Sequence, residues 1–228
     1  MKTTVIMVGD SITEGVGASD SARTSYPAVL GKLLGEDYTV LNFGRCGATV
    51  MDPPNGKQDS YLRLSHYTRA KTAAGEAAAR GDRVIVSVML GSNDADVIDY
   101  GFEIAGENYY ERYHDDFIVK TLSIIESFRA ICPDAVFLYC KSPWSYDNVK
   151  HRDFGNLASV WRFQEEIFET LKADGCKVSL LDAAAVTAPE VLGDRVGSYF
   201  DDGLHPSDEG YAAMAAVFYD AIRKLGCL

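Results

Sequence analysis

The sequence lacks any run of about 18 consecutive apolar residues, the length that a membrane-spanning helix requires. The apolar part of the N-terminus, which ends at Gly9, is also too short for a secretory signal peptide. We therefore expect a protein that does not bind membranes and that resides in the cytoplasm, unless a leader has been removed from a secreted precursor.

The chain also lacks an excess of positive charge. It has 22 Lys and Arg residues against 33 Asp and Glu residues, which gives a formal net charge of −11. Nucleic-acid binding depends on clustered basic side chains that contact phosphates, so this balance argues against a nucleic-acid partner. The same negative charge disfavours docking on anionic lipid surfaces.

Paired cysteines are missing as well. The five cysteines are an odd number, and no two of them form a Cys-x-x-Cys pair. They are Cys46, Cys132, Cys140, Cys176 and Cys227. The sequence predicts neither a disulfide framework nor a metal site, and we expect these residues to be reduced and largely buried.

What the sequence does contain is a regular alternation of strand and helix patterns. Short β-branched runs predict five strands, at 3–8, 38–42, 83–90, 135–139 and 178–181. Helical patterns fall between and after them, at 26–34, 60–80, 110–130, 152–173 and 211–225. Strands joined by helix-length connections predict one α/β domain over residues 1–228, with a five-stranded parallel sheet and helices on both faces.

A serine follows the first predicted strand, in the motif Gly-Asp-Ser-Ile-Thr-Glu-Gly that spans residues 9–15. In open α/β sheets, ligands bind beyond the carboxyl ends of the strands. A strand-to-helix turn exposes the side chain of Ser11 and directs backbone N–H groups to the same point, as a nucleophile requires. On this motif alone, an ordinary helix N-cap serine is the favoured interpretation.

A histidine near the other end of the chain favours the catalytic interpretation. Asp202 precedes His205 by three residues, on a turn that contains a glycine and leads into the last predicted helix. An acid in this position can accept a hydrogen bond from Nδ1 and leave Nε2 facing a nucleophile. Asp201 is an alternative orienting acid, and an Asp-Gly turn beside a surface histidine is the simpler interpretation.

Two further strand ends carry polar or small residues. Gly44 follows the second strand, and Asn93 follows the third. With the N–H of Ser11, the N–H of Gly44 and the side-chain amide of Asn93 would form an oxyanion hole of three donors. Each residue taken singly is a common turn residue.

Together these motifs resemble the GDSL, or SGNH, hydrolase family, whose blocks occur here in order along nearly the whole chain. The blocks are Gly9 to Gly15, Gly44, Gly91 to Asp94, and Asp202 with His205 and Pro206. The resemblance implies a flavodoxin-like three-layer α/β/α sandwich, ester or thioester hydrolysis through an acyl-enzyme, and no metal or organic cofactor. Cys46 departs from the family, many of whose members have serine there.

Several neighbouring residues are assigned supporting roles. We expect Asp10 and Asp94 to brace the loops that carry the catalytic groups. Cys46 has no assigned histidine partner, so we do not predict a thiol nucleophile, and Arg45 is interpreted as a surface residue. The chain also lacks a Gly-x-Ser-x-Gly motif, which argues against the other large fold of serine esterases.

Aromatic residues supply candidates for the substrate-binding wall. Tyr100 lies in an aromatic-rich stretch that follows Asn93, and Trp144 follows the fourth strand. Either ring could contact a substrate, and Trp144 could stack on a sugar. Core packing is the alternative for both.

The predicted function is hydrolysis of a small-molecule ester, with Ser11 as nucleophile, His205 as base and Asp202 as orienting acid. A polar, acidic chain without an apolar interfacial segment favours small acyl groups, such as O-acetyl groups of carbohydrates. A lysophospholipase or a thioesterase is the alternative enzyme. A non-catalytic module that binds sugars or acyl groups is the alternative outside enzymes.

Overall fold

A parallel β-sheet forms the centre of the protein. The computed structural model describes residues 2–96, 99–102, 107–144, 154–200 and 202–225. Its strands are β1 (Thr3–Gly9), β2 (Tyr38–Gly44), β3 (Arg83–Met89), β4 (Val136–Lys141) and β5 (Val178–Asp182). The strand order is β2-β1-β3-β4-β5, with every neighbouring pair parallel. This is the order of flavodoxin-like sheets, so the predicted fold class is confirmed.

Helices cover both faces of the sheet. The longer ones are α3 (Tyr26–Leu34), α4 (Ser65–Ala79), α5 (Glu107–Ile131), α6 (Phe154–Ala173) and α10 (Asp208–Lys224). The shorter ones are α1 (Ser11–Glu14), α2 (Ser21–Thr24), α7 (Ala183–Thr187), α8 (Pro189–Leu192) and α9 (Val196–Tyr199). Within the described residues, no helix combines the length and the apolar character needed to cross a lipid bilayer.

The central strands are apolar on both faces, and successive side chains enter different cores. Ile6 and Val8 of β1 pack in the core beneath α4, α5 and α6, whereas Val5 and Met7 pack in the core beneath α3 and α10. All seven residues of β1 are buried. This continuous burial explains why the strand reads as an unbroken apolar run, as parallel strands usually do.

The ends of the first three strands lie side by side. Gly9 is in register with Gly44 on one side and with Met89 on the other. The residues that follow these three strands are therefore neighbours at one edge of the sheet. This register brings together segments that are up to 80 residues apart in the sequence.

The predicted helix at 60–80 is two elements in the structure. Tyr61–Arg63 forms a 3₁₀ turn, and α4 begins only at Ser65. Leu64 between them has an extended backbone, with φ of −77° and ψ of 146°. The apolar pattern continues through the break because both elements face the same core, so periodicity alone does not reveal it.

Candidate active site

Ser11 is the first residue of α1, directly after β1, and its side chain is almost fully buried. Oδ1 of Asp10 accepts a hydrogen bond from the N–H of Ile12 at 3.0 Å and so caps this helix. Gly9 permits the turn, because a Cβ there would lie 1.9 Å from Oγ1 of Thr13. The predicted bracing role of Asp10 is confirmed, and the turn holds the hydroxyl of Ser11 in a fixed place.

His205 connects this hydroxyl to a carboxylate. Nε2 of His205 lies 2.9 Å from Oγ of Ser11, and Nδ1 lies 2.6 Å from Oδ2 of Asp202. With the proton placed on Nδ1, the imidazole donates to Asp202 and its Nε2 accepts from the hydroxyl of Ser11. The structure thus brings together the three residues predicted to form a triad, although they come from opposite ends of the chain. Asp201 lies outside the described residues.

The turn at Asp202 fixes both of its carboxylate oxygens. Oδ1 accepts hydrogen bonds from the N–H groups of Leu204, at 2.9 Å, and His205, at 2.7 Å. Burial of the carboxylate raises its pKa, but these bonds and the bond from the imidazole outweigh burial, so the pKa of Asp202 lies below its usual value. Asp202 therefore remains ionised at neutral pH, as the stabilisation of an imidazolium requires.

Asn93 faces the loop that follows β2. It is buried, and its Nδ2 donates to the backbone oxygen of Ala48 at 2.9 Å. This bond fixes the orientation of the amide relative to the residues just before Ala48. Asn93 is therefore held against the loop that contains Gly47, the residue before Ala48.

The predicted role of Gly44 in an oxyanion hole is wrong. Its N–H donates at 2.8 Å to Oδ1 of Asn42, so that hydrogen is already used. A Cβ on Gly44 would lie 2.2 Å from the backbone nitrogen of Glu14. The glycine is required because α1 approaches β2 closely at this point.

Gly47 is the glycine that the sequence interpretation missed. It is buried, its φ is +78°, and a turn closed by a 3.0 Å bond from the N–H of Ala48 to the oxygen of Arg45 contains it. Among the residues that the structure describes, the N–H of Gly47 donates no hydrogen bond, and the same is true of the N–H of Ser11. The signal was a second glycine three residues after Gly44, but spacing alone does not say which of the two N–H groups is available.

Asp94 braces this loop, as predicted. Its carboxylate accepts from the N–H of Val50, at 3.0 Å, and from the N–H of Met51, at 2.8 Å. Burial raises the pKa of Asp94 to about 7, although these two hydrogen bonds act in the opposite direction. Asp94 thereby ties the loop after β2 to the turn that carries Asn93.

A second set of contacts holds His205 in place. Asp208, the first residue of α10, accepts from the N–H of Ser19 at 2.9 Å and from its hydroxyl, and the hydroxyl of Tyr211 donates to the oxygen of Val16 at 2.6 Å. Gly17, between these two contacts, lies against His205. The segment after α1 is thus fastened to the segment that carries the histidine.

The two aromatic candidates differ in exposure. Tyr100 is 6% exposed and packs in the core, which is the alternative that the sequence left open for it. Trp144 is half-buried, and its ring packs against Trp161 with the centroids 5.4 Å apart. Its contact with substrate stays a prediction.

Cys46 is exposed rather than buried, contrary to the prediction for the cysteines as a group. Burial of part of its side chain and the nearby Glu14 raise the pKa of the thiol. A raised pKa keeps the sulfur protonated and argues against a thiol nucleophile. Elsewhere in the described ranges, Cys132 and Cys140 are buried, as predicted, and the His, Cys, Asp and Glu side chains there form no group able to hold a metal ion.

The fold and these contacts define a class of protein, one with a Ser-His-Asp triad at the carboxyl edge of a flavodoxin-like sheet. Residues 7–213 match the GDSL-like Lipase/Acylhydrolase family, and the chain belongs to that family. The sequence resemblance to this family is therefore confirmed.

Similar proteins include enzymes named for several ester-hydrolysing activities. The chain is 26% identical to an acetylxylan esterase of Xylanibacter ruminicola, over 96% of this chain and 43% of that protein. It therefore spans less than half the length of this curated relative. A carbohydrate acetylesterase family member from Sinorhizobium meliloti has 20% identity and a TM-score of 0.64, with full coverage of both chains. The aryl esterase of M. smegmatis has 18% identity and a TM-score of 0.64, over 99% and 100% of the two chains.

Proposed function

We propose that the protein is a serine ester hydrolase that works through an acyl-enzyme on Ser11. The hydrogen-bond chain from Ser11 through His205 to Asp202, with distances of 2.9 and 2.6 Å, carries this proposal. A hydroxyl with no base beside it is a weak nucleophile, and this chain supplies the base and its orienting acid.

The reaction proceeds in two halves. Oγ of Ser11 attacks the carbonyl carbon of the ester while Nε2 of His205 takes the hydroxyl proton, and the tetrahedral intermediate then expels the alcohol, which receives that proton. Water next attacks the acyl-enzyme with His205 again as base, and the acid and the free hydroxyl of Ser11 are released. Asp202 stabilises the imidazolium in both halves.

The negative oxygen of each intermediate requires donors. The proposed donors are the N–H of Ser11, the N–H of Gly47 and Nδ2 of Asn93. Gly47 replaces Gly44 in this set, because the N–H of Gly44 is already bonded to Asn42. Donors held by the fold stabilise the developing charge without having to reorganise.

Acetyl groups on carbohydrates are the proposed substrates. The names of two relatives, an acetylxylan esterase and a carbohydrate acetylesterase family member, support this choice. The acidic chain without an apolar interfacial segment points the same way. The alternatives within the family, a lysophospholipase or a thioesterase, predict a preference for long acyl chains or thioesters.

Labelling with a fluorophosphonate probe tests the nucleophile. We expect the wild type to label and Ser11→Ala not to label, with a loss of p-nitrophenyl acetate hydrolysis of about 10⁴- to 10⁶-fold. Ser123→Ala is the matched control, because this serine is exposed on α5, far along the chain from the triad. Equal labelling of Ser11→Ala and the wild type would exclude Ser11 as the nucleophile.

Acyl-chain preference tests the substrate. Rates on p-nitrophenyl acetate, the decanoate homologue and acetylated xylose are compared under the same conditions. We expect the acetate and the acetylated sugar to be turned over faster than the decanoate. Faster turnover of the decanoate would favour the lysophospholipase alternative.

A further inference from the structure

A recess lined by cationic side chains lies beside the proposed oxyanion donors. Its volume is about 410 Å³. The lining residues, here called the cationic recess, are Arg45, Cys46, Lys57, Gln58, Asp59 and Leu64. A space of this size can hold a group as large as a sugar ring.

The cationic recess borders the loop that contains Gly47. The side chain of Gln58 lies directly over Gly47, since a Cβ on Gly47 would be 2.2 Å from Oε1 of Gln58. The backbone N–H of Arg45 donates at 3.0 Å to the oxygen of Gly9, two residues before Ser11. One wall of the recess is therefore continuous with the loop that supplies the Gly47 donor.

The positive charges of the recess are not neutralised by partners. Across the described part of the chain, Arg45 and Lys57 form no ion pair, although acidic residues outnumber basic ones by 33 to 22. The one acid in the lining, Asp59, is paired with Arg63 at 3.8 Å. The carboxylate of Glu14 lies at the edge of the recess, where it accepts a hydrogen bond from the N–H of Cys46. As far as the structure describes the chain, it forms no ion pair with Arg45 or Lys57, so both cations remain available to attract an anion.

The field extends beyond the recess. Burial lowers the pKa of His66, and the charges of Arg69 and Arg45 lower it further. The guanidinium of Arg69 lies 5.9 Å from the centre of the Phe43 ring, at the end of β2. The loop after β2 is therefore bordered by several cations on the side that faces solvent.

In an acetyl ester, a negatively charged group of the substrate must belong to the alcohol part. The acyl side of such a substrate is a single methyl group, so any further substrate surface belongs to the alcohol. Recognition by groups beside the site must therefore act on the leaving alcohol.

We propose that the cationic recess binds a carboxylate carried by the alcohol part of the ester, so that acylated uronic acids and similar anionic esters are preferred over neutral ones. This inference rests on the proposed ester hydrolysis and specifies its substrate class. Arg45 and Lys57 contact the carboxylate, and Gln58 contacts the part of the substrate between the carboxylate and the ester. These are specificity residues and take no part in the bond-making steps.

A matched pair of aryl acetates tests the proposal. 4-Acetoxybenzoate carries a carboxylate on its alcohol part, and 4-acetoxybenzamide has the same shape without the charge. Each kcat/KM is divided by the rate of hydroxide-catalysed hydrolysis of the same ester, which removes differences in intrinsic reactivity. We expect the corrected ratio to favour the benzoate by about tenfold or more, mainly through KM, and to fall as salt is raised.

Variants locate the effect. Arg45→Gln and Lys57→Gln should each lower the ratio by about three- to tenfold, through a higher KM for the benzoate. The charge-conserving Lys57→Arg should retain the ratio. Lys177→Gln is the control, because Lys177 lies directly before β5, at the opposite edge of the sheet, and should not change the ratio.

The outcomes separate the two proposals. No hydrolysis of either ester by the wild type would count against the proposed function itself. Hydrolysis of both esters with a ratio near one, or a high ratio that Arg45→Gln and Lys57→Gln leave unchanged, would overturn the carboxylate site and leave the esterase proposal standing.

Discussion

Asp202 and His205 stand three residues apart, and a single turn brings their side chains together at 2.6 Å. The glycine between them, Gly203, has a φ of +80°, a conformation that other residues rarely adopt. Two of the three triad residues are therefore positioned by local sequence. This is why the acid and the histidine could be predicted from the sequence as a pair.

The proposed donors to the oxyanion differ from the predicted ones at one position, for a physical reason. Asn93 follows a strand that is readily recognised, and its side chain supplies its own donor. A backbone N–H is available only if nothing else accepts from it, and the partner of Gly44 is a side chain two residues earlier. Such a contact depends on the path of the turn, so the residue types alone favour Gly44 and Gly47 equally.

Removal of the side-chain donor should affect the chemical step. We expect Asn93→Ala to lower kcat on p-nitrophenyl acetate by about 100- to 1,000-fold with little change in KM, because the donor acts on charge that develops after substrate binding. Steady-state kinetics measure this. A loss confined to KM would place Asn93 in substrate binding instead.

The buried carboxylate of Asp94 should make stability depend on pH. Its pKa is about 7 in the folded protein and near 3.8 when exposed, so folding favours the protonated form. The stabilisation that this group contributes is complete below about pH 4 and is lost as the pH rises to about 7. The slope from this group is at most about 1.4 kcal/mol per pH unit.

Asp94→Asn removes the titrating group but keeps an oxygen that can accept from Val50 and Met51. In urea unfolding between pH 5 and 8, we expect the stability of this variant relative to wild type to increase with pH. Asp134→Asn, which changes a fully exposed carboxylate, should follow the wild type. Parallel curves for wild type and Asp94→Asn would contradict the assignment.

At the scale of elements, the strands were predicted closely and the short helices were not. All five strands begin within one residue of their predicted starts, because each is a short run rich in apolar residues. Helices of four or five residues, such as α2 and α7, are too short to show a period. They begin instead at capping aspartates, Asp20 and Asp182, which in a sequence look like ordinary turn residues.

The contact between the segment after α1 and the start of α10 should govern activity. At Gly17, φ is +88°, and an added Cβ would lie 2.8 Å from the oxygen of Pro206 and 3.0 Å from Cβ of His205. We expect Gly17→Ala to displace His205 and to lower kcat by about 100-fold, with KM nearly unchanged. Steady-state kinetics and a stability measurement on the same sample test this.

Gly175→Ala is the control for backbone strain. Gly175 also has a positive φ, of +71°, but an added Cβ there would meet no atom within 4 Å. Both variants should lose stability of about 1 kcal/mol from the strained backbone, and only Gly17→Ala should lose activity. Equal activity losses would show that strain alone, rather than the contact with His205, is responsible.

At the scale of the whole molecule, the sheet order brings the two ends of the chain together. Ser11 follows β1 near the centre of the sheet. Helix α10 packs on the same face of the sheet as α3, and the turn before α10 places His205 beside the serine. Ser11 and His205 are 194 positions apart in the sequence, and the described residues between them form strands β2 to β5 and helices on both faces of the sheet. That a single domain spans residues 1–228 stays a prediction, and the cooperativity of unfolding tests it over the part that the structure describes.

A substitution that creates a cavity between α3 and α10 should show whether this helical layer and the layer of α4, α5 and α6 unfold together. Phe218 is fully buried, and its ring lies 4.9 Å from that of Tyr26, whose hydroxyl is hydrogen-bonded to Thr13 beside the nucleophile. We expect Phe218→Ala to destabilise the fold by about 3–5 kcal/mol, whereas Val119→Ala, at an exposed position, should have little effect.

Because hydrogen-bonded strands connect the two layers, urea should abolish activity and change the fluorescence of Trp144 and Trp161 at the same midpoint. Loss of activity at clearly lower urea would show that the layer holding His205 opens separately from the rest of the sheet.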